Sequence, residues 1–156
     1  MELREATIED AKEIALELWL PLAHEMEDIS DYNELSEDLS QERLIEYRKE
    51  KLKNDDAVTV VFEHEKELIG VATFTAEEPY EIFSRGKYAK VNEIYVKKDF
   101  RKQGIGSELL DKLFERAKEL GCEQIELNVN VENEAAKELY KNKGFESEKI
   151  KMVTDL

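Results

Sequence analysis

The segment from Val91 to Ser107, V-N-E-I-Y-V-K-K-D-F-R-K-Q-G-I-G-S, constrains the chain more than any other. An apolar strand ends at Val96 and a short polar loop follows. Arg101-x-x-Gly104-x-Gly106 then opens a helix in which Ile105, Leu109, Leu110, Leu113, Phe114, Ala117 and Leu120 recur at a 3.6-residue period. Glycine lets the backbone approach a ligand with no side chain in the way. The start of a helix offers unpaired N–H groups and the positive end of its dipole to an anion. Strand, glycine loop and helix N-terminus together predict a phosphate-binding site. Its donors are the N–H groups of Gln103, Gly104, Ile105, Gly106 and Ser107, with Arg101 and Lys102 beside them.

Two familiar phosphate loops fail on spacing. A dinucleotide fingerprint needs a glycine or alanine three residues after Gly106, where Leu109 stands. A P-loop needs G-x-x-x-x-G-K-[ST]. No glycine lies five residues before Gly104, and Ile105 follows it instead of lysine. A second signature comes downstream. Gln124 to Asn130 alternates Ile125, Leu127 and Val129 against Glu126, Asn128 and Asn130, the pattern of a strand. Asn133-x-x-Ala136-x-x-Leu139-Tyr140-x-x-x-Gly144-Phe145 follows, with Asn133 placed to cap a helix and Gly144 to end it.

These two motifs, in this order and separated by one helix and one strand, resemble the GNAT superfamily of acetyl-CoA-dependent N-acetyltransferases. The resemblance covers about Tyr88 to the C-terminus, with a compatible upstream half. It implies that the loop after Val96 holds the pyrophosphate of acetyl-CoA. The pantetheine arm would pair like an extra strand with the backbone of Ile94, Tyr95 and Val96. Tyr140 would stand beside the thioester sulfur and protonate the leaving thiolate. Asn133 would cap its helix, bond the pantetheine amides, or do both. Glu93, an acid interrupting an apolar strand, is the candidate base; the alternatives are pairing with a lysine on a neighbouring strand or holding the acceptor's charge. Lys98 stands where many relatives carry proline, which implies a more mobile loop.

The order of predicted elements is β-α-α-β-β-β-α-β-α-β(-β). It gives an α/β fold in which a mixed, mostly antiparallel central sheet carries helices on both faces. Thr7 to Asp10 reads as a near capping box opening a helix that Pro21 should kink or end, and Ser40 as the cap of a second helix running to about Lys53. That second helix has a thin stripe of Leu44, Tyr47, Arg48 and Leu52. Ala57–Glu63 and Leu68–Thr75 form a hairpin, and Phe145–Asp155 is expected to supply one or two closing strands. No linker or repeat interrupts residues 1–156, which are expected to make one domain.

Net charge is −15, from 38 acids and 23 bases, which argues against a nucleic-acid partner. No lysine or arginine lies between Lys12 and Arg43, while Glu25, Glu27, Asp28, Asp31, Glu34, Glu37 and Asp38 crowd one stretch. That is a solvated acidic face or an electrostatic funnel for a cationic acceptor. One cysteine, Cys122, excludes an internal disulfide and fits a reducing cytoplasm; no apolar run suits a membrane, and the N-terminal residues lack an export pattern. His24 and His64 have no partner at ligand spacing, so no metal is expected. The expected activity is transfer of an acetyl group from acetyl-CoA to a primary amine, such as a polyamine or aminoglycoside. A protein lysine or N-terminal amine, or a non-catalytic acyl-CoA-binding module, is the alternative. The resemblance makes a homodimer compatible.

Overall fold

The computed structural model describes residues 1–156. Five strands form one sheet in the order β1 (Glu2–Glu5), β2 (Ala57–His64), β3 (Glu67–Glu77), β4 (Tyr88–Val96) and β5 (Gln124–Glu126). The first three pairings are antiparallel and β4 pairs β5 in parallel. Side chains alternate between two cores. On one face Val60, Phe62, Ile69, Phe74 and Val91 meet Ile105, Leu109, Leu113 and Ala117 of α4 (Ile105–Glu119). On the other, Val61, Val71 and Tyr95 meet Ile14 and Leu18 of the first helical layer. Each such side chain removed from water contributes roughly 1.5–3 kcal/mol, far more than helix propensity does. Helices therefore cover both faces of a mixed sheet.

The first helical layer opens at Thr7, whose N–H and hydroxyl donate to Asp10 at 2.6 and 3.1 Å. Arg4 holds the same carboxylate with two bonds, at 2.8 and 2.9 Å. A 3-10 turn (Ile8–Asp10) leads into α1 (Ala11–Glu13), a π-helical stretch (Ile14–Trp19) and α2 (Leu20–Ile29). Pro21 was expected to kink or end this run; it does not end it, since α2 continues to Ile29. It sits in the first turn of α2, just after the π stretch, where the wider ladder removes the demand for its missing N–H. Ser40 caps α3 (Gln41–Leu52) by accepting from the Arg43 N–H at 3.3 Å. Only Leu44 and Arg48 of its stripe are fully buried; Tyr47 is half exposed.

The end of the chain departs furthest from the sequence reading. Strand β5 stops at Glu126 instead of Asn130, and no strand forms after Phe145. Residues 146–156 make no backbone hydrogen bond, and Ile150 and Met152 lie exposed. Alternation of apolar and polar residues predicts extended backbone, but a strand also needs a ladder partner, which neither segment has. Between them lies α5 (Glu134–Asn142), capped by Asn133, whose Oδ1 accepts from the Ala136 N–H at 3.2 Å. No helix is long and apolar enough to cross a membrane.

Candidate functional site

Strand β4 is paired with β5 only from Tyr88 to Lys90, opposite Gln124 to Glu126. From Val91 to Val96 its outer edge faces no strand. Lys97 donates its N–H to Ile69 at 2.9 Å, which sets the antiparallel phase against β3. Because hydrogen-bonded and non-bonded pairs alternate, Tyr95 and Glu93 turn their backbone groups to β3, while those of Ile94 and Val96 point to the open side. Val96 uses its carbonyl there to accept from Arg101 Nε at 2.8 Å. Tyr95 is thus set apart from the two residues grouped with it on sequence. Its backbone is engaged with β3 and its ring lies in the core, where burial, then the charge of Glu25, push its phenol above the ordinary value.

Register slips between Thr73 and Phe74, opposite Glu93 and Val91, so Asn92 is an extra residue on β4. A bulge of this kind bends the strand and re-aims its side chains. Ala89 and Val91 face α4 before it; Ile94 and Val96 do so after it. Glu93 is thereby turned to the α3 side.

Beyond Val96 the chain makes a 3-10 turn (Lys98–Phe100) and enters the glycine loop. Lys102 and Gly104 adopt left-handed backbone, with φ of 61° and 86°. Left-handed residues within such loops create concave arrays of N–H groups that accept anions. The N–H groups of Lys102, Gln103, Gly104, Ile105, Gly106 and Ser107 make no backbone bond within the chain, and the helical ladder begins when Glu108 donates to Gly104. A side chain at Gly106 would meet Leu139 Cδ2 at 3.4 Å, so β4, the start of α4 and α5 converge there. The cations of the loop are disposed differently from each other. Lys102 is exposed, whereas Arg101 forms two 2.9 Å bonds with Glu25 of α2, and Lys98 approaches the same carboxylate at 3.8 Å. A hollow of about 550 Å³ lies alongside, walled by Glu17, His24, Glu25, Asp28, Lys97 and Lys98.

Tyr140, one residue after Leu139, is half buried and packs edge-on against Phe145 at 5.8 Å, with Phe114 of α4 behind that ring. Burial pushes its phenol above the ordinary value, so the protonated form persists to higher pH. Glu93 Oε1 accepts from Arg48 Nη1 at 2.5 Å and from the Thr73 hydroxyl at 3.1 Å. Its partner is thus an arginine from α3 and not a lysine from a neighbouring strand. Asn92 reaches Thr75 at 2.9 Å, extending a polar row over this face. Arg48 was legible only as part of a helical stripe, four residues from Leu44; nothing in the local pattern pointed to Glu93.

Glu27 accepts from the Leu35 N–H at 2.7 Å, so it and Glu25 serve internal contacts. Asp28, Asp31, Glu34, Glu37 and Asp38 remain exposed. His64 stacks edge-on with Phe100 at 5.7 Å, and His24 is exposed. The Cys122 thiol is pushed up by burial, the wrong direction for a nucleophile.

The model of the acetyltransferase (GNAT) family matches residues 18–145. An N-acetyltransferase of Methanocaldococcus jannaschii, itself uncharacterized, is 47% identical over 62 residues, which are 40% of this chain and 27% of that protein. A thialysine N-epsilon-acetyltransferase of Bos taurus is 42% identical over 60 residues, 38% of this chain and 35% of that one. The matched segments thus span about a third or less of these relatives. Among solved structures, a Bacillus halodurans protein superposes with a TM-score of 0.84 at 23% identity, covering 100% of both chains. A predicted acetyltransferase of Clostridium acetobutylicum, crystallised with acetyl-CoA, superposes at 0.73 and 21% identity, over 99% of this chain and 95% of that one. At such identities the shared feature is the fold.

Proposed function

We propose that this chain, which belongs to the acetyltransferase (GNAT) family, acts as a single N-acetyltransferase domain that moves the acetyl group of acetyl-CoA to a cationic primary amine. The observation that carries the reading is the continuous run of unpartnered N–H groups from Lys102 to Ser107, beside the open edge of β4. The first suits a diphosphate and the second an extended, amide-bearing arm, and acetyl-CoA has both. The thialysine acetyltransferase among the relatives, whose name denotes transfer to a side-chain amine, agrees with an amine acceptor.

Acetyl-CoA supplies an activated thioester; the chain's residues do the rest. Lys102 and the loop N–H groups hold the diphosphate. Ile94 and Val96 present backbone groups to the pantetheine amides, and the Asn133 amide nitrogen, left over from capping, can join them. The Ile94 N–H lies just past the bulge on the open side and is placed to bond the thioester oxygen, a device usually contributing about 3 kcal/mol. A primary amine of pKa ~10.4 is about a thousandth neutral near pH 7.4, so its proton must be taken up. Glu93 does this through Oε2, which makes no hydrogen bond within the chain. Since only 9% of that side chain is exposed, the transfer runs over a water molecule. The amine nitrogen then bonds to the carbonyl carbon, the carbon–sulfur bond breaks, and Tyr140 gives its proton to the departing thiolate.

The exposed acids of residues 28–38 favour a cationic acceptor, because a field of one sign concentrates opposite charge. A second reading, a lysine within a peptide, draws on the chain's own Lys151, whose ammonium donates to the Tyr32 hydroxyl in that loop. The test is an acetyl-CoA consumption screen across polyamines, aminoglycosides, amino acids and lysine peptides. Turnover with polyamines, weakened by salt, supports the reading. Equal rates with neutral amines remove the cationic acceptor, and calorimetry without a CoA signal removes the donor site.

A further inference from the structure

Arg48 is the most deeply buried charge in the chain, with 3% of its side chain exposed. It rises from a helix rich in charged residues, Q-E-R-L-I-E-Y-R-K-E-K-L, and shares its inward face with Leu44. Its Nη1 meets Glu93 Oε1, while its buried Nε has no partner. Behind Glu93 the polar row runs across the sheet: Thr73 donates to the same oxygen, and Thr59 and Thr73 share a 3.2 Å bond. Leucine or methionine at position 48 would fill this layer between α3 and the sheet without desolvating a guanidinium. Buried ion pairs are often no more stabilising than apolar residues of similar size, so stability alone does not account for this one.

We propose that Arg48 is the positioning residue of the acceptor half of the site. It clamps one oxygen of Glu93, with Thr73 as the second point of the clamp, so that Oε2 keeps a single orientation. The inference rests on the role given to Glu93 above and extends it to the helix that sets its geometry. Without Arg48 the carboxylate is left with the Thr73 hydroxyl alone, and an acceptor loses its fixed partner. The guanidinium also ties α3 to the floor of the site across 45 residues of sequence. A lysine there reaches the same oxygen with a single, unforked contact and restores part of the geometry.

The test is a double-mutant cycle on the full chain, using Arg48→Met, Glu93→Gln and both together, with Arg48→Lys as the conservative variant. Steady-state kinetics with spermidine are read beside acetyl-CoA affinity and melting temperature. Arg48→Met is expected to reduce kcat/KM for spermidine about 10- to 100-fold with acetyl-CoA affinity kept. Arg48→Lys should recover much of that loss. In the Glu93→Gln background, Arg48→Met should cost little more, because a residue acting through Glu93 has nothing left to position. Additive losses, or loss of acetyl-CoA affinity in step with activity, overturn the inference, as do unchanged kinetics in Arg48→Met. Should Arg48→Met fail to fold, Arg48→Gln takes its place in the cycle: wild-type kinetics overturn the role, and a selective fall in kcat/KM for spermidine supports it. A wild type that binds acetyl-CoA but turns over no amine refutes the reading of the preceding section alone; the same cycle is then read on spermidine binding to the CoA-loaded protein by calorimetry.

Discussion

The Tyr140 hydroxyl makes no hydrogen bond within the chain and its ring packs against Phe145, so removal from water alone raises its titration. A phenol so placed is a reluctant donor that remains fully loaded at neutral pH. Tyr140→Phe is expected to lower kcat about 100-fold while leaving acetyl-CoA affinity unchanged, measured by steady-state kinetics and calorimetry. The alkaline limb of kcat should begin above the ordinary tyrosine value of ~10. The folded state holds this proton longer than the unfolded state does. Its contribution to stability is therefore complete below the ordinary value and is lost as pH rises through the raised one. Melting curves of wild type and Tyr140→Phe should diverge only in that alkaline window. The tyrosine, its helix and its cap were legible because each depends on neighbours within four residues; the ring's packing against Phe145, which Phe114 backs, was not.

Between elements, the contact of most consequence joins α2 to the glycine loop. Arg101, read on sequence as a diphosphate ligand, is clasped by Glu25 and by the Val96 carbonyl. Both partners are partly exposed, so the pair contributes little stability, but it occupies a cation beside the donor loop. Glu25→Gln should therefore tighten CoA binding several-fold, seen by calorimetry, with less than about 1 kcal/mol change in unfolding free energy. Gly104→Ala tests the loop itself. The new methyl group meets open space, but a φ of 86° is strained for any side chain, so a loss of about 1 kcal/mol and weaker CoA binding are expected. At the first helical layer Asp10 anchors Arg4 and Thr7, and the Arg4 hydrogen bonds hold its carboxyl below the ordinary value. Stability from this group is present above the ordinary ~3.9 and lost as pH falls through the depressed value. After discounting for solvent screening, Asp10→Asn should cost about 1 kcal/mol at pH 7 in chemical unfolding, with the difference vanishing in acid.

For the molecule as a whole, a net charge of −15 makes long-range electrostatics a property of every encounter. Asp28 of α2 and four acids of the α2–α3 connection stay exposed, on the helical layer that also covers Glu93. Raising ionic strength from about 0.05 to 0.5 M should therefore increase KM for a polyamine severalfold with kcat nearly constant, as screening shortens the Debye length from about 14 to 4 Å. The same titration with a neutral amine should leave KM flat. This separates recruitment by the field from contact inside the site.

The residues themselves determined the glycine loop, α4 and the capped α5, because helical period, left-handed turns and caps are settled among near neighbours. They also indicated an open-sheet fold, through the alternation of strands and helices. Tertiary structure decided where β4 and β5 part, that Asn92 bulges and so turns Glu93 toward α3, and that Arg48 and Arg101 take carboxylate partners 45 and 76 residues away. Strand pairing and ion pairing across such distances depend on register and burial, which exist only once the sheet and its two helical layers have packed.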